Sequence, residues 1–169
     1  MTPFGHLSVS YIPHKTFRNI SLPALLIGGL SPDLDFLFIF FDWFNQVHRV
    51  VTHNLFFAAL ISLSGMFFAA KGRRRAVVSS LLLGMLLHLL ADSCMDNNPT
   101  NGIGLALFWP LSGEFYSPFN LLHVSERSAG WRDPLRMFSS LMPVVVYEVP
   151  LYLLAGLIFL RSRKGQRHS

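Results

Sequence analysis

The sequence predicts an all-α fold, a small polytopic membrane helical bundle with a turn-rich extracytoplasmic cap. Of its 169 residues, 51% are hydrophobic and only 14% are charged, whereas soluble domains carry about 25% charged residues. Two apolar runs, residues 54–70 and 76–91, flank a basic cluster, and a third occupies residues 137–160. Each run approaches the length with which a helix crosses a bilayer. The whole chain, residues 1–169, is predicted to be one membrane-embedded domain.

Basic residues predict the orientation of these helices. Residues 71–75 and 161–167 each carry four Lys or Arg and no acid. Such clusters beside apolar runs mark the cytoplasmic side, so the loop 71–75 and the C-terminus are expected there, and residues 93–136 on the opposite side. The pattern argues against a nucleic-acid partner despite the net charge of +5. The apolar run 22–30 is short and no small-residue cleavage site follows it, so we expect no signal peptide.

Two further segments carry local signals. Ser31 before Pro32 predicts a helix start, with Ser31 as the N-cap, and the aromatic residues 36–44 are expected to continue that helix. The last apolar run contains Pro143 and Pro150, which are expected to interrupt it.

A histidine and an aspartate lie four residues apart near the end of the second run. On a helix, His88 and Asp92 would share a face, as two ligands of one metal ion do. A core histidine bonded to a neighbouring aspartate is the alternative. His48 and His53 precede the first run, so a hairpin of the two helices brings all four residues to the outer end.

These four residues, together with His6, Asp33 and Asp35 nearer the N-terminus, form a set of imidazoles and carboxylates. Such a set suits zinc, manganese or iron better than calcium. Seven ligands are too many for one tetrahedral ion and suit two. For Asp33 and Asp35, favourable placement in the first turn of a helix is the alternative. The candidate metal ligands are His6, Asp33, Asp35, His48, His53, His88 and Asp92.

The motifs that carry these residues resemble those of a known family of membrane-bound, metal-dependent hydrolases, described as LexA-binding, inner-membrane-associated hydrolases. Val50 and Asn54 stand where that family usually has Gly and Ser. The resemblance implies an inner-membrane hydrolase, and a more distant similarity to zinc-dependent phospholipase C points towards phosphoester bonds. In the family's order, the matching motifs are Gly5-His6, Ser31-Pro32-Asp33-Leu34-Asp35, His48-Arg49-x-x-Thr52-His53, His88-x-x-x-Asp92 and Gly102…Trp109-Pro110-Leu111.

The sequence therefore favours a hydrolase that acts on a phosphoester or lipid-linked substrate through a metal-activated water at the extracytoplasmic face. Asp35 or His53 is the candidate base, and Arg49 the candidate group for an anion. The alternative is a membrane adaptor or regulatory protein with a structural metal site; a transporter is a third reading. Membrane lipids are the expected partners, and no protein partner is indicated.

Glu148 lies within the last apolar run, where an isolated carboxylate is costly. It is expected either to be protonated and bonded to a carbonyl freed by Pro150, or to face the metal cluster and orient one of its ligands.

Overall fold

A computed structural model describes residues 1–17, 19–41, 43–94, 104–119, 121 and 134–166. Within these ranges the regular structure is helical, apart from one isolated bridge between Leu105 and Tyr116, so the predicted all-α membrane fold is confirmed. Three 3₁₀ helices occupy Ile12–Lys15, Pro32–Phe38 and Lys71–Arg73. The α-helices are α1 (Pro3–Tyr11), α2 (Leu22–Leu30), α3 (Phe44–Val47), α4 (Leu55–Phe68), α5 (Arg74–Asp92) and α6 (Pro134–Gln166).

Helix α5 is the centre of the bundle and packs against α1, α2 and α4. It approaches α2 closely because glycines face each other across the contact. A Cβ on Gly84 would lie 2.2 Å from the carbonyl oxygen of Leu25, and one on Gly28 would lie 2.3 Å from that of Leu81. Small residues of this kind let backbones meet inside a membrane, where no hydrophobic force draws helices together.

Helices α4 and α5 form the predicted hairpin around the basic turn. Asn54 caps α4, because its side-chain oxygen accepts a bond from the Phe57 amide at 2.7 Å. Serine is an equally good N-cap, which explains why the resembling family can have Ser here. Among the described residues, two segments are long and apolar enough to cross a bilayer, Lys71–Asp92 and Met142–Arg163, while α4 is shorter. The 14 residues of α4 reach about 21 Å, less than a hydrocarbon core.

One local prediction is right in part and another is wrong. A 3₁₀ helix begins at Pro32 with Ser31 in the N-cap position, as predicted, but the Ser31 side chain makes no capping bond and instead donates to the carbonyl of Ile27 at 2.7 Å, at the end of α2. Residues 36–44 do not form one helix, because the 3₁₀ helix that begins at Pro32 ends at Phe38 and a turn precedes α3.

Helix α6 also differs from the prediction. It runs without interruption from Pro134 to Gln166, through both Pro143 and Pro150. Membrane helices tolerate proline where local adjustment or neighbouring groups satisfy the freed backbone carbonyls.

The described part of the predicted cap, residues 104–119, lies at the end of the bundle where α4 begins and α5 ends. The amide of Leu55 donates to Leu107 at 3.0 Å, and Ser117 donates to the carbonyl of Ser93 at 3.1 Å. Within this segment Leu105 and Ala106 are completely buried. The segment is therefore anchored to the end of the bundle that carries His88 and Asp92.

We predict that the basic turn and the cap lie on opposite sides of the membrane. Gly72 and Gly113 are both exposed, with open space around them. In a Cys94→Ser background, Gly72→Cys should react with a membrane-impermeant maleimide only in inside-out vesicles, and Gly113→Cys only in spheroplasts. The physical reason is retention of basic loops in the cytoplasm. Labelling of both positions from one side would contradict this topology.

Candidate metal centre

The seven candidate ligands come from four separate parts of the chain. Helix α1 supplies one, the 3₁₀ helix Pro32–Phe38 two, the loop before α4 two, and the end of α5 two. The structure brings all seven together in three overlapping groups, within each of which one ligand atom per residue lies within 4.8 Å of the others. The groups are His6, His88 and Asp92; Asp33, His53 and His88; and Asp35, His48 and His53.

Three imidazole nitrogens converge on Asp92. Its carboxylate oxygens lie 3.4 Å from His6 Nε2, 3.5 Å from His53 Nε2 and 3.4 Å from His88 Nε2. These separations exceed the usual hydrogen-bond range of about 2.7–3.2 Å. They match the spacing of about 3.4 Å between ligand atoms that sit about 2.1 Å from one tetrahedral ion.

Asp33 faces the same three nitrogens from another side. Its carboxylate oxygens lie 3.7 Å from His6 Nε2, 3.5 Å from His53 Nε2 and 3.7 Å from His88 Nε2. Three imidazoles and two carboxylates therefore enclose one small volume. We call these five residues, His6, Asp33, His53, His88 and Asp92, the central cluster.

Four inward atoms of the central cluster have no hydrogen-bond partner in the described part of the chain. This holds for Nε2 of all three histidines and for Oδ2 of Asp33, all of which are buried. A buried polar atom left unpaired costs about 1–3 kcal/mol. Several such atoms aimed at one point are the arrangement expected of metal ligands, so the residues fit a divalent ion.

Hydrogen bonds on the outer side of the rings fix which nitrogen faces inward. His88 Nδ1 lies 2.8 Å from the carbonyl oxygen of Gly29, which can only accept, so Nδ1 carries the proton. Thr52 Oγ1 donates to Asp35 at 2.8 Å and so accepts from His53 Nδ1 at 2.9 Å. In the neutral form of both rings Nε2 keeps its lone pair, as metal coordination requires.

Burial keeps two of these rings neutral. Desolvation lowers the pKa of His6 from 6.5 to about 4, against the opposing effect of Asp92. Desolvation, with the neighbouring His88 and His48, also lowers the pKa of His53 well below 6.5. At neutral pH both rings therefore have a lone pair available for a metal ion.

Asp35 and His48, also predicted as ligands, are engaged differently. Asp35 Oδ2 accepts hydrogen bonds from His48 Nδ1 at 3.0 Å and from Thr52 at 2.8 Å. These bonds engage Asp35 Oδ2 and His48 Nδ1 without an ion, and a second ion there would have to displace them. Asp35 Oδ1 is buried and has no partner among the described residues. The side chain of His48 is 19% exposed, which marks this edge of the site as the most accessible.

Arg49 is buried and lies in the left-handed region, with φ of 66°. That conformation is uncommon for residues other than glycine. The Arg49 carbonyl accepts from the amide of Ala106 at 3.2 Å, which ties the loop between His48 and His53 to the cap.

Sequence reasoning missed several contacts around the central cluster. The nitrogen of Met1 lies 2.5 Å from Asp92. Thr2 caps α1, with its hydroxyl accepting from the Gly5 amide at 3.1 Å. Threonine before proline is a helix-start signal, so this cap could have been found from the sequence.

Glu148 is bonded to the N-terminal segment of the chain. The expected bond to a freed carbonyl is wrong: the carboxylate accepts from the Thr2 amide at 2.6 Å, from the Thr2 hydroxyl at 2.5 Å and from the Tyr152 hydroxyl. It also contacts Gly5, where a Cβ would lie 2.5 Å from its carboxyl carbon. Glu148 thus fixes the start of α1 through Thr2 and lies against Gly5, the residue before His6.

We predict that alanine at any residue of the central cluster removes most of the bound metal. His88→Ala and Asp92→Ala are the sharpest cases, because each also leaves the buried atoms of its neighbours unpaired and lowers stability. Metal content of detergent-purified protein is the measurement, with gel filtration as the check on folding. Unchanged metal stoichiometry in these two variants would contradict the assignment.

Asp35→Asn and His48→Ala should weaken metal binding by about 10–100-fold rather than abolish it, as expected for residues that orient a ligand. His14→Ala is the control, since its ring bonds the carbonyl of Tyr11. His123 and His168, which the sequence also predicts to be tolerant, lie outside the described residues.

Comparison with known proteins agrees with the membrane fold. Over 150 residues the chain is 29% identical to the inner membrane protein YbcI of Escherichia coli (strain K12). The matched region covers 83% of this chain and 86% of that protein. No solved structure matches. The family model described as YdjM inner membrane protein matches residues 1–162. The chain therefore belongs to the YdjM family of inner membrane proteins.

Proposed function

We propose that this protein is a membrane-bound, metal-dependent hydrolase that acts on a phosphoester or lipid-linked substrate at the extracytoplasmic face. The convergence of three unpaired, buried Nε2 atoms on two carboxylates carries the proposal. A divalent ion, zinc or alternatively manganese or iron, would supply Lewis acidity and lower the pKa of a coordinated water towards about 7.

In this proposal the residues have separate roles. The central cluster would supply the ligands of the ion, and the Thr52 hydroxyl and Asp35 orient His53. Asp35 Oδ1 has no partner among the described residues, so this carboxylate can take a proton at the edge of the site. We assign to Arg49, which is buried in the loop between His48 and His53, the role of pairing with an anionic group of the substrate, as guanidinium groups do with phosphates.

A structural metal site in a membrane adaptor is the competing function. Structural zinc sites are closed by four protein ligands, whereas catalytic sites keep an open position. The partly exposed ring of His48 at the edge of the site favours the enzyme, since a substrate can approach there.

Activity measurements on metal-loaded protein test the proposal. Protein in detergent would be stripped with a chelator, reloaded with zinc, manganese or iron, and assayed against soluble phosphodiesters, phospholipids and carboxylic esters. We expect hydrolysis that chelation abolishes and one of the three ions restores. Asp92→Ala should be inactive and His14→Ala fully active. Tight metal binding without hydrolysis of any substrate class would favour the structural site.

Glu148→Gln is predicted to keep folding and metal content but to lower activity by about tenfold or more, as for a residue that positions a ligand. The glutamine side chain has one accepting oxygen where the carboxylate has two, so Thr2 and the start of α1 lose part of the hydrogen bonding that holds them. Tyr152→Phe removes one of the same bonds without changing charge and is the matched variant. Full activity of Glu148→Gln would show that these hydrogen bonds serve stability alone.

A further inference from the structure

A groove of about 700 Å³ runs along the bundle between α1, α2 and α6. Its walls are apolar and include Phe4, Leu7, Val145 and Phe159. Gly156 also lines the groove, and a Cβ added there would meet no atom within 4 Å. The small residue on α6 therefore helps to keep the groove open.

The groove lies at membrane depth. The wall of the groove that α6 forms falls within Met142–Arg163, one of the two described segments able to span a bilayer. Only 11% of the most apolar stretch of that segment is buried. An apolar groove at this depth adjoins lipid hydrocarbon rather than water. Acyl chains are the molecules that surround it in a membrane.

One end of the groove lies at Thr2, one residue from the Met1 nitrogen that contacts the central cluster. Thr2 and Tyr152 line that end, and both donate hydrogen bonds to Glu148. Met1, which directly precedes Thr2, contacts Asp92 of the central cluster. From there the groove follows α1 as far as Tyr11, so its apolar length leads away from the candidate metal centre.

We propose that this groove holds an acyl chain of a membrane glycerophospholipid, whose ester or phosphoester end lies at Thr2 beside the metal centre. The volume falls within the range of about 300–1,000 Å³ typical of ligand pockets. The proposal rests on the proposed function and names its substrate class: a bilayer phospholipid rather than a water-soluble phosphoester.

Photolabelling tests the groove independently of catalysis. Protein in nanodiscs of phosphatidylethanolamine with a diazirine on the acyl chain would be irradiated, and the labelled residues identified by mass spectrometry. Labels should concentrate on Phe4, Leu7 and Val145. Gly156→Phe fills the groove and should lose most of this labelling, while metal content stays unchanged.

Leu157→Phe is the matched control, because Leu157 is the next residue of α6, is exposed and does not line the groove. It should label as the wild type does. Uniform labelling of all lipid-facing residues, or labelling unaffected by Gly156→Phe, would overturn the proposal. Crosslinks between two copies or to another protein at these residues, in place of lipid adducts, would overturn it as well.

Two substrates separate this proposal from the proposed function. Gly156→Phe should lose about tenfold or more of its activity on a long-chain phospholipid, equivalent to losing contact with about two methylenes, yet keep its activity on a short soluble phosphodiester. Equal loss on both substrates would overturn the groove but leave the hydrolase intact. Groove labelling in a wild-type protein that hydrolyses neither substrate would refute the hydrolase and support the lipid site.

Discussion

The convergence of three buried imidazoles on Asp33 and Asp92 is the constraint on which the rest of the structure depends. The inward nitrogens have no partner among the described residues, and each unpaired atom is costly in a buried site. Elements far apart in sequence must therefore be held to within a fraction of an ångström. The close contact of α2 and α5 at Gly28 and Gly84 does this for one ring, because it brings the Gly29 carbonyl to His88.

Two other contacts complete that support. The Thr52 hydroxyl links His53 to Asp35, which sets the orientation of the second ring. Glu148 fixes the start of α1 through Thr2, and α1 carries the third ring on His6. A carboxylate buried in an apolar helix is stable here because it accepts hydrogen bonds from the N-terminus of another helix, where the backbone amides and the helix dipole favour negative charge.

Membership of the YdjM inner membrane protein family and the two membrane-length segments place this cluster in a membrane protein. The polar residues of the cluster face the interior of the bundle, whereas the outer surface of α6 is largely exposed and apolar. A polar centre enclosed by apolar helices is the arrangement by which ionisable groups are kept in membranes.

The sequence by itself determined the helical class, the hairpin of α4 and α5 around its basic turn, and the seven residues that the fold brings together. The composition of the chain, its charge distribution and the four-residue spacing of His88 and Asp92 are local properties, which a sequence displays directly. The role of the seven residues as metal ligands is still a prediction. Only the tertiary structure decided that Ser31 ends a helix, that α6 continues through Pro143 and Pro150, and that Glu148 binds Thr2. These outcomes depend on which distant groups satisfy each backbone or side-chain atom, and no local pattern specifies that pairing.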